Sequence, residues 1–485
     1  MTSDLHREDR GPLPWSLADS VALSLLVVFA AALRFWRLGI PAEVIYDEKL
    51  TLGQARPLVL GWPPSYSSHP PLGKEVVALS IWLFGDYPWG WRALNASLGT
   101  ALVAITYLLG RRMFRARPPA AIAAAFILCD GLFLVASRVA LINITFVTLA
   151  AWAFLLAFRF IDQSDPNMRR RTLLAMGLVL GLCAGGKAAI PEVAALLAAG
   201  AISFALLREG HRAQGPSDNT KLAVAGIINA CGLLGAIMLI VYIAAFSPFY
   251  WYGWWSGIGD LANYHRWALH TNLRLPRAVP RASPFWSWPL LLRPYPYWEK
   301  FSAAHSVAMI WSGGNPLLWW EILAAIPIAI ARAYRQRKFA WAFLAIGYFA
   351  YMAMWISIRR YLFIYDYMPA AYLGLIALGG ALAECWEGAA LRWEQILLLI
   401  PLAPCLVLGL GRFEGGAAAL AVALAYLLAV AYSDGYEGKF VFAIFGVSAI
   451  VLCIYFFPIW TGMPISQPAC AARMWFHGAG LANWM

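Results

Sequence analysis

The chain has 485 residues, of which 61% are hydrophobic and 13% charged, against about 25% charged in ordinary soluble domains. That balance excludes a water-soluble enzyme, a nucleic-acid binder and a disordered tail. The apolar surplus runs from Val21 to Pro458, so the sequence reads as an all-α polytopic membrane protein rather than a secreted one with a signal peptide.

Runs long enough to cross about 30 Å of hydrocarbon lie near 18–38, 91–110, 118–136, 139–160, 172–190, 191–207, 222–246, 317–333, 339–357, 366–386, 393–411, 416–433 and 441–457. The pattern predicts about thirteen transmembrane helices in one catalytic domain spanning 1–485. The formal charge of +12 comes from 37 Lys and Arg against 25 Asp and Glu. The basic residues cluster at 111–117, 169–171, 208–212 and 332–338, between apolar runs. With a cytoplasmic N-terminus all four clusters face the cytoplasm, as the positive-inside rule expects, and the C-terminus lies outside.

The stretch 71–84 (PLGKEVVALSIWLF) breaks that alternation if it spans. It is short and carries Lys74 and Glu75, so it is expected to be an interfacial helix within a first extracytoplasmic loop, 40–90. A second large outer loop, 247–316, is dense in Trp, Tyr and Pro; such rings suit the headgroup interface, and the prolines prevent long helices. The seven cysteines, Cys129, Cys183, Cys231, Cys385, Cys405, Cys453 and Cys470, have no ligand spacing and read as small buried hydrophobes. No Walker or Rossmann glycine pattern supports ATP or nicotinamide use, so the energy of the reaction must arrive with the substrate.

Residues able to do chemistry concentrate outside. Asp47 and Glu48, in PAEVIYDEKL, are either two solvated loop acids or a proton acceptor with an orienting partner. In SSHPPLGKEV, His69 and Lys74 precede a proline-started helix and suit either interfacial anchoring or an anionic phosphate. Arg138 and Asn143, in ASRVALINITF, sit where a predicted helix meets the membrane surface. A charge at that depth points to a functional site or a structural ion pair. Lys187 either pairs with Glu192 or joins a phosphate site. Arg359 and Arg360 fall on the face where cations are disfavoured, which favours an anionic lipid ligand, and Asp366 follows in YLFIYDYMP. Asp47 and Glu48 could hold a divalent metal with His265 or His270, but no spacing compels it, and neither a metal nor a required cofactor is predicted.

Taken in order, RFWRLGIPAEVIYDEK, SSHPPLGKEV, ASRVALINITF, SPFWSWPLLLRPYPYW, GNPLLWW, FIYDYMPA and YFFPIWTGMPIS resemble the protein O-mannosyltransferase family. The resemblance implies a GT-C type fold and an inverting transferase. Such an enzyme moves mannose from a polyprenyl-phosphate donor to Ser or Thr hydroxyls of exported proteins, here at the outer face of the bacterial inner membrane. It makes Asp47 the base with Glu48 beside it, and places His69, Lys74, Arg138, Lys187, Arg293, Arg359 and Arg360 around the donor phosphate and lipid. Asn143, Trp286, Trp288 and Asp366 are then substrate-positioning residues. The family usually has Asp where this chain has Asn143, and often His where it has Asp366. The second outer loop is too short for the extra lumenal domain of eukaryotic members. Two rivals remain: a transferase of the same fold with a lipid or glycan acceptor, like the aminoarabinose transferases, and a transporter or flippase, for which helix repeats and midplane charges are expected.

Overall fold

A computed structural model of the protein describes residues 14–62, 67–187, 190–212, 218–275, 279, 281–302, 305–405, 437–476 and 484. The described residues are mostly helical, in the order α1 (Leu17–Phe35), α2 (Glu48–Leu60), α3 (Leu72–Phe84), α4 (Pro88–Phe114), α5 (Arg117–Cys129), α6 (Gly131–Arg138), α7 (Asn143–Asp162), α8 (Pro166–Ala184), α9 (Ile190–Arg212), α10 (Asp218–Ala244), α11 (Ser247–Trp251) and α12 (Ile258–Arg274). After two short strands, β1 (Pro296–Phe301) and β2 (Ser306–Trp311), come α13 (Pro316–Gln336), α14 (Phe339–Ala353), α15 (Met368–Trp386), α16 (Arg392–Leu399), α17 (Glu437–Thr461), β3 (Ile465–Ser466) and α18 (Gln467–Arg473).

Among the described residues nine helices are long and apolar enough to cross a membrane, or ten if α5 and α6 form one span. The expected spans at 91–110, 139–160, 191–207, 222–246, 317–333, 339–357, 366–386 and 441–457 all coincide with such helices, as does the first. The expected span at 416–433, and residues 406–411 of that at 393–411, lie outside the described residues, whereas 393–399 fall in the short helix α16. Helix α3 has 13 residues, which at 1.5 Å per residue is about 20 Å and too short to span.

The expected continuous helix over 118–136 is instead broken, with a 60° bend between α5 and α6. Asp130 is the cause: its Oδ1 accepts the amides of Leu132 (3.0 Å) and Phe133 (3.2 Å). Its Oδ2 accepts the Asn315 amide (3.0 Å) and Trp319 Nε1 (2.7 Å). A buried carboxylate that takes four donors caps a new helix start where an apolar run would otherwise continue.

The chain divides into two compact units. The first holds Met1–Val27, Asp47–Ala116 and Ser137–Leu275. Its membrane helices pack around α7, which is buried over most of its length and touches α4, α8 and α9. Beside them α2 lays Leu52, Ala55 and Leu58, spaced at helical intervals, on Val77, Ala78 and Ile81 of α3 together with Trp91 and Ala140. Gly61, at φ 70°, ends α2 with a left-handed turn that satisfies its last carbonyls.

The second unit holds Val28–Tyr46, Arg117–Ala136 and Pro276–Met485. Here α15 is the central helix, 94% buried over its span, with α5, α13, α14 and α17 around it. The three strands form one antiparallel sheet, β1-β2-β3, in which Trp298 faces Ile310 and Val307 faces Ile465.

Candidate active site

In the first unit, Asp47 is the N-cap residue of α2, half-buried, and its side chain makes no cap to its own helix. Glu48 is fully buried. Arg92 of α4 holds it in a fork, Nε to Oε1 at 2.7 Å and Nη2 to Oε2 at 2.8 Å. Glu48 Oε1 also accepts the Ala140 amide at 2.9 Å. Arg92 is itself only 1% exposed. This bidentate fork satisfies both carboxylate oxygens in a buried setting, which makes the pair geometrically specific.

The link to Ala140 joins the acidic pair to the break between α6 and α7. On the next turn of α4 from Arg92, Asn95 Nδ2 donates to the carbonyls of Val139 and Leu141, both at 2.7 Å. The turn that carries Arg138 and leads into Asn143 is therefore clamped from α4. Both residues are buried. Asn143 Oδ1 then accepts Lys187 Nζ at 2.8 Å, and the Leu72 amide donates to the Gly185 carbonyl at 2.9 Å, which brings the His69–Lys74 turn alongside.

Two glycines make this approach possible. A Cβ on Gly73 would lie 2.6 Å from Ile142 Cγ2, and one on Gly186 only 1.5 Å from Phe146 Cζ. Lys74 is buried and donates to the carbonyls of His69 (2.6 Å) and Pro70 (2.9 Å). Burial lowers its pKa to about 7, with the Glu75 charge opposing. Burial likewise raises Glu75 to about 8, with Lys74 opposing. Asp47, Glu48, His69, Lys74, Arg138, Asn143 and Lys187 thus belong to one connected arrangement within one unit.

The remaining candidates belong to the second unit. Trp286 and Trp288 separate: Trp286 is 48% exposed, whereas Trp288 is fully buried. Trp288 donates Nε1 to Ser283 Oγ (2.9 Å) and packs edge-on to Trp355. Following the 3-10 turn at Phe285–Ser287, the Trp288 ring lies in the core. Asp366 is also buried and accepts the Phe363 amide at 3.3 Å, so it shapes the turn before α15. Arg293 and Arg360 are half-buried and Arg359 is exposed. His265 of α12 bonds Tyr242 and the Leu261 carbonyl. Among the described residues no three His, Cys, Asp or Glu side chains gather as metal ligands would.

Sequence reasoning missed Arg92, Asn95 and Asp130. Each carried a signal. Arg92 and Asn95 are three apart in WGWRALNAS, hence on one helix face, and Asp130 is a lone acid inside an apolar run.

The fold is that of the GT-C membrane glycosyltransferases. The Saccharomyces cerevisiae Pmt1-Pmt2 complex bound to its sugar donor superposes with a TM-score of 0.73 at 15% identity, covering 96% of this chain and 93% of that one. ArnT from Cupriavidus metallidurans bound to undecaprenyl phosphate gives 0.58 at 15% identity, covering 94% and 78%.

Two family profiles match in tandem: dolichyl-phosphate-mannose-protein mannosyltransferase over residues 68–252, and the C-terminal four-transmembrane region of protein-O-mannosyltransferase over residues 258–479. The chain belongs to the protein O-mannosyltransferase family. A polyprenol-phosphate-mannose–protein mannosyltransferase of Mycobacterium tuberculosis is 26% identical over 458 residues, covering 81% of this chain and 86% of the relative. One from Corynebacterium glutamicum is 24% identical over 449 residues, covering 77% and 84%.

Proposed function

We propose that this membrane glycosyltransferase moves mannose from a polyprenyl-phosphate donor to Ser or Thr hydroxyls of exported proteins. In this reading the reaction takes place at the extracytoplasmic face of the bacterial inner membrane, with the N-terminus cytoplasmic and the C-terminus outside. The observation that carries it is the linked set Asp47–Glu48–Ala140–Asn143–Lys187 with Lys74 alongside: an acid at a helix start beside several basic groups. The names of the relatives support mannose and a protein acceptor.

Asp47 accepts the proton of the acceptor hydroxyl as its oxygen attacks the anomeric carbon. The bond from that carbon to the phosphate oxygen breaks on the opposite side, with inversion, through an oxocarbenium-like state. Negative charge growing on the departing phosphate is met by Arg138, Lys74 and Lys187, with His69 beside them and Arg293, Arg359 and Arg360 contributing to the donor's phosphate and lipid. Glu48, fully engaged by Arg92 and Ala140, acts by fixing the start of α2 rather than by touching the acceptor. Asn143 acts through Lys187. Trp286 offers an open ring to the substrate, and Asp366 acts through the turn it caps.

The test places the purified protein in lipid with polyprenyl-phosphate-mannose, a Ser/Thr peptide and a lipid acceptor, and follows transfer by mass spectrometry beside Asp47→Asn. Mannosylated peptide, lost in D47N, is the expected result. Transfer to lipid alone overturns the acceptor, and the absence of transfer with any acceptor overturns the enzyme reading.

A further inference from the structure

Tyr46, the residue before Asp47, has φ 44°, a left-handed backbone that a bulky side chain adopts only where its surroundings impose it. Those surroundings are a bed of aromatic rings in the second unit. The Tyr46 ring stacks on Tyr297 with centroids 4.7 Å apart and planes 4° from parallel. It lies 5.3 Å from Tyr295 and meets the edge of Phe363 at 6.5 Å. The Tyr295 hydroxyl donates to the Tyr46 hydroxyl.

The bed is rigid. The Tyr295 amide donates to the Ser312 side-chain Oγ (3.2 Å), and its carbonyl accepts the Ser312 amide (3.0 Å). Tyr297 sits at the irregularity of the β1–β2 register between Pro296 and Trp298. On the other side of Asp47, Glu48 is fixed by Arg92 and Ala140.

We propose that Tyr46 is a positioning residue: its ring, clamped by Tyr295 and Tyr297, holds a left-handed backbone that aims the Asp47 carboxylate at the acceptor. This rests on Asp47 being the base. The function needs the backbone, and the ring is the means of holding it. Alanine removes the ring and disfavours the conformation. Glycine removes the ring but adopts positive φ without cost, and phenylalanine keeps the stack.

The experiment compares Tyr46→Ala, Tyr46→Gly, Tyr46→Phe, Tyr297→Ala and Asp47→Asn in lipid, measuring kcat, donor KM and thermal unfolding. Misplacing a reacting group by an ångström costs on the order of 100-fold, so Y46A and Y297A are expected to lose at least ~10-fold in kcat with donor KM within about twofold. Y46F stays within about threefold of the parent, and Y46G recovers several-fold over Y46A. Parental kcat in Y46A, a Y46G no better than Y46A, or a change confined to KM overturns the proposal. If Y46A does not fold, Y297A and the glycine variant decide. A D47N protein that still transfers sugar overturns the base reading and this inference with it; an inactive D47N beside an active Y46A overturns only the positioning role.

Discussion

Lys187 donates to Asn143 across 2.8 Å, an ammonium held by a neutral amide. The amide fixes where the ammonium sits. Asn143→Asp places a carboxylate against the ammonium in place of the amide. A several-fold weaker donor affinity, of the size of a partly buried charge interaction, is the expected outcome, with kcat changed less. Titration of the variant with polyprenyl-phosphate-mannose checks it, and unchanged affinity would count against a phosphate role for Lys187.

The Arg92–Glu48 pair calls for a stability measurement. Removing one partner of a buried pair strands the other, at a cost of about 3–5 kcal/mol. Arg92→Ala therefore lowers the unfolding temperature strongly. Arg92→Lys rescues little, because an ammonium cannot reproduce the fork onto both Glu48 oxygens. A lysine variant as stable as the parent would show that charge alone suffices.

Lys74 gives a pH dependence with a defined sign. Its pKa is lowered to about 7, so its positive charge, and with it donor affinity, declines as pH rises through that value. Glu75→Gln removes the charge that opposes this lowering, and the decline moves to lower pH. Stability follows other windows. The lowered Lys74 pKa makes stability rise with pH between about 7 and the ordinary lysine value of 10.5. The raised Glu75 pKa makes stability fall between 4.5 and about 8. Donor binding at pH 6 and pH 8.5 for both proteins separates the affinity effect, and a flat profile refutes it.

Gly186 faces the ring of Phe146 with no room for a methyl group. Gly186→Ala is expected to destabilise by about 1–3 kcal/mol, the usual cost of overpacking. Adding Phe146→Ala should make the loss less than additive, because the two sites touch. Strict additivity in thermal unfolding of the four proteins would contradict the close approach.

The two tryptophans of SPFWSW are expected to part company. Trp288→Ala opens a core cavity and costs about 3–5 kcal/mol. Trp286→Ala, on an open ring, leaves stability within about 0.5 kcal/mol and shows its effect in turnover. Calorimetry beside sugar-transfer rates makes the distinction.

Much of this was legible in the residues. The apolar runs located most of the helices, the positions of Lys74 and Glu75 marked α3 as too polar and short to span, and the acids, Arg138 and Lys187 stand out by charge, and Asn143 by polarity, at the ends of apolar segments. What the sequence could not yield were partners far apart in the chain. Nothing local says that Glu48 meets Arg92 and the Ala140 amide, or that Asp130 reaches Asn315 and Trp319. Hydropathy counts Asp130 as one acid in an apolar window, whereas four donors converging on its carboxylate turn that window into two helices. Trp286 and Trp288 differ only in which way a single turn points them, and periodicity over so short a stretch does not distinguish the two.

The sheet has a consequence for biogenesis. Strand β2 is paired on one edge by β1 and on the other by Ile465 and Ser466, which follow α17, and the Trp311 indole donates to the carbonyl of Trp484. While the chain is being made, the hairpin bearing Tyr295 and Tyr297 waits with an open edge until those late residues emerge. The far edge of β2 is therefore completed only once α17 has been made, whereas its pairing with β1 draws on residues already present.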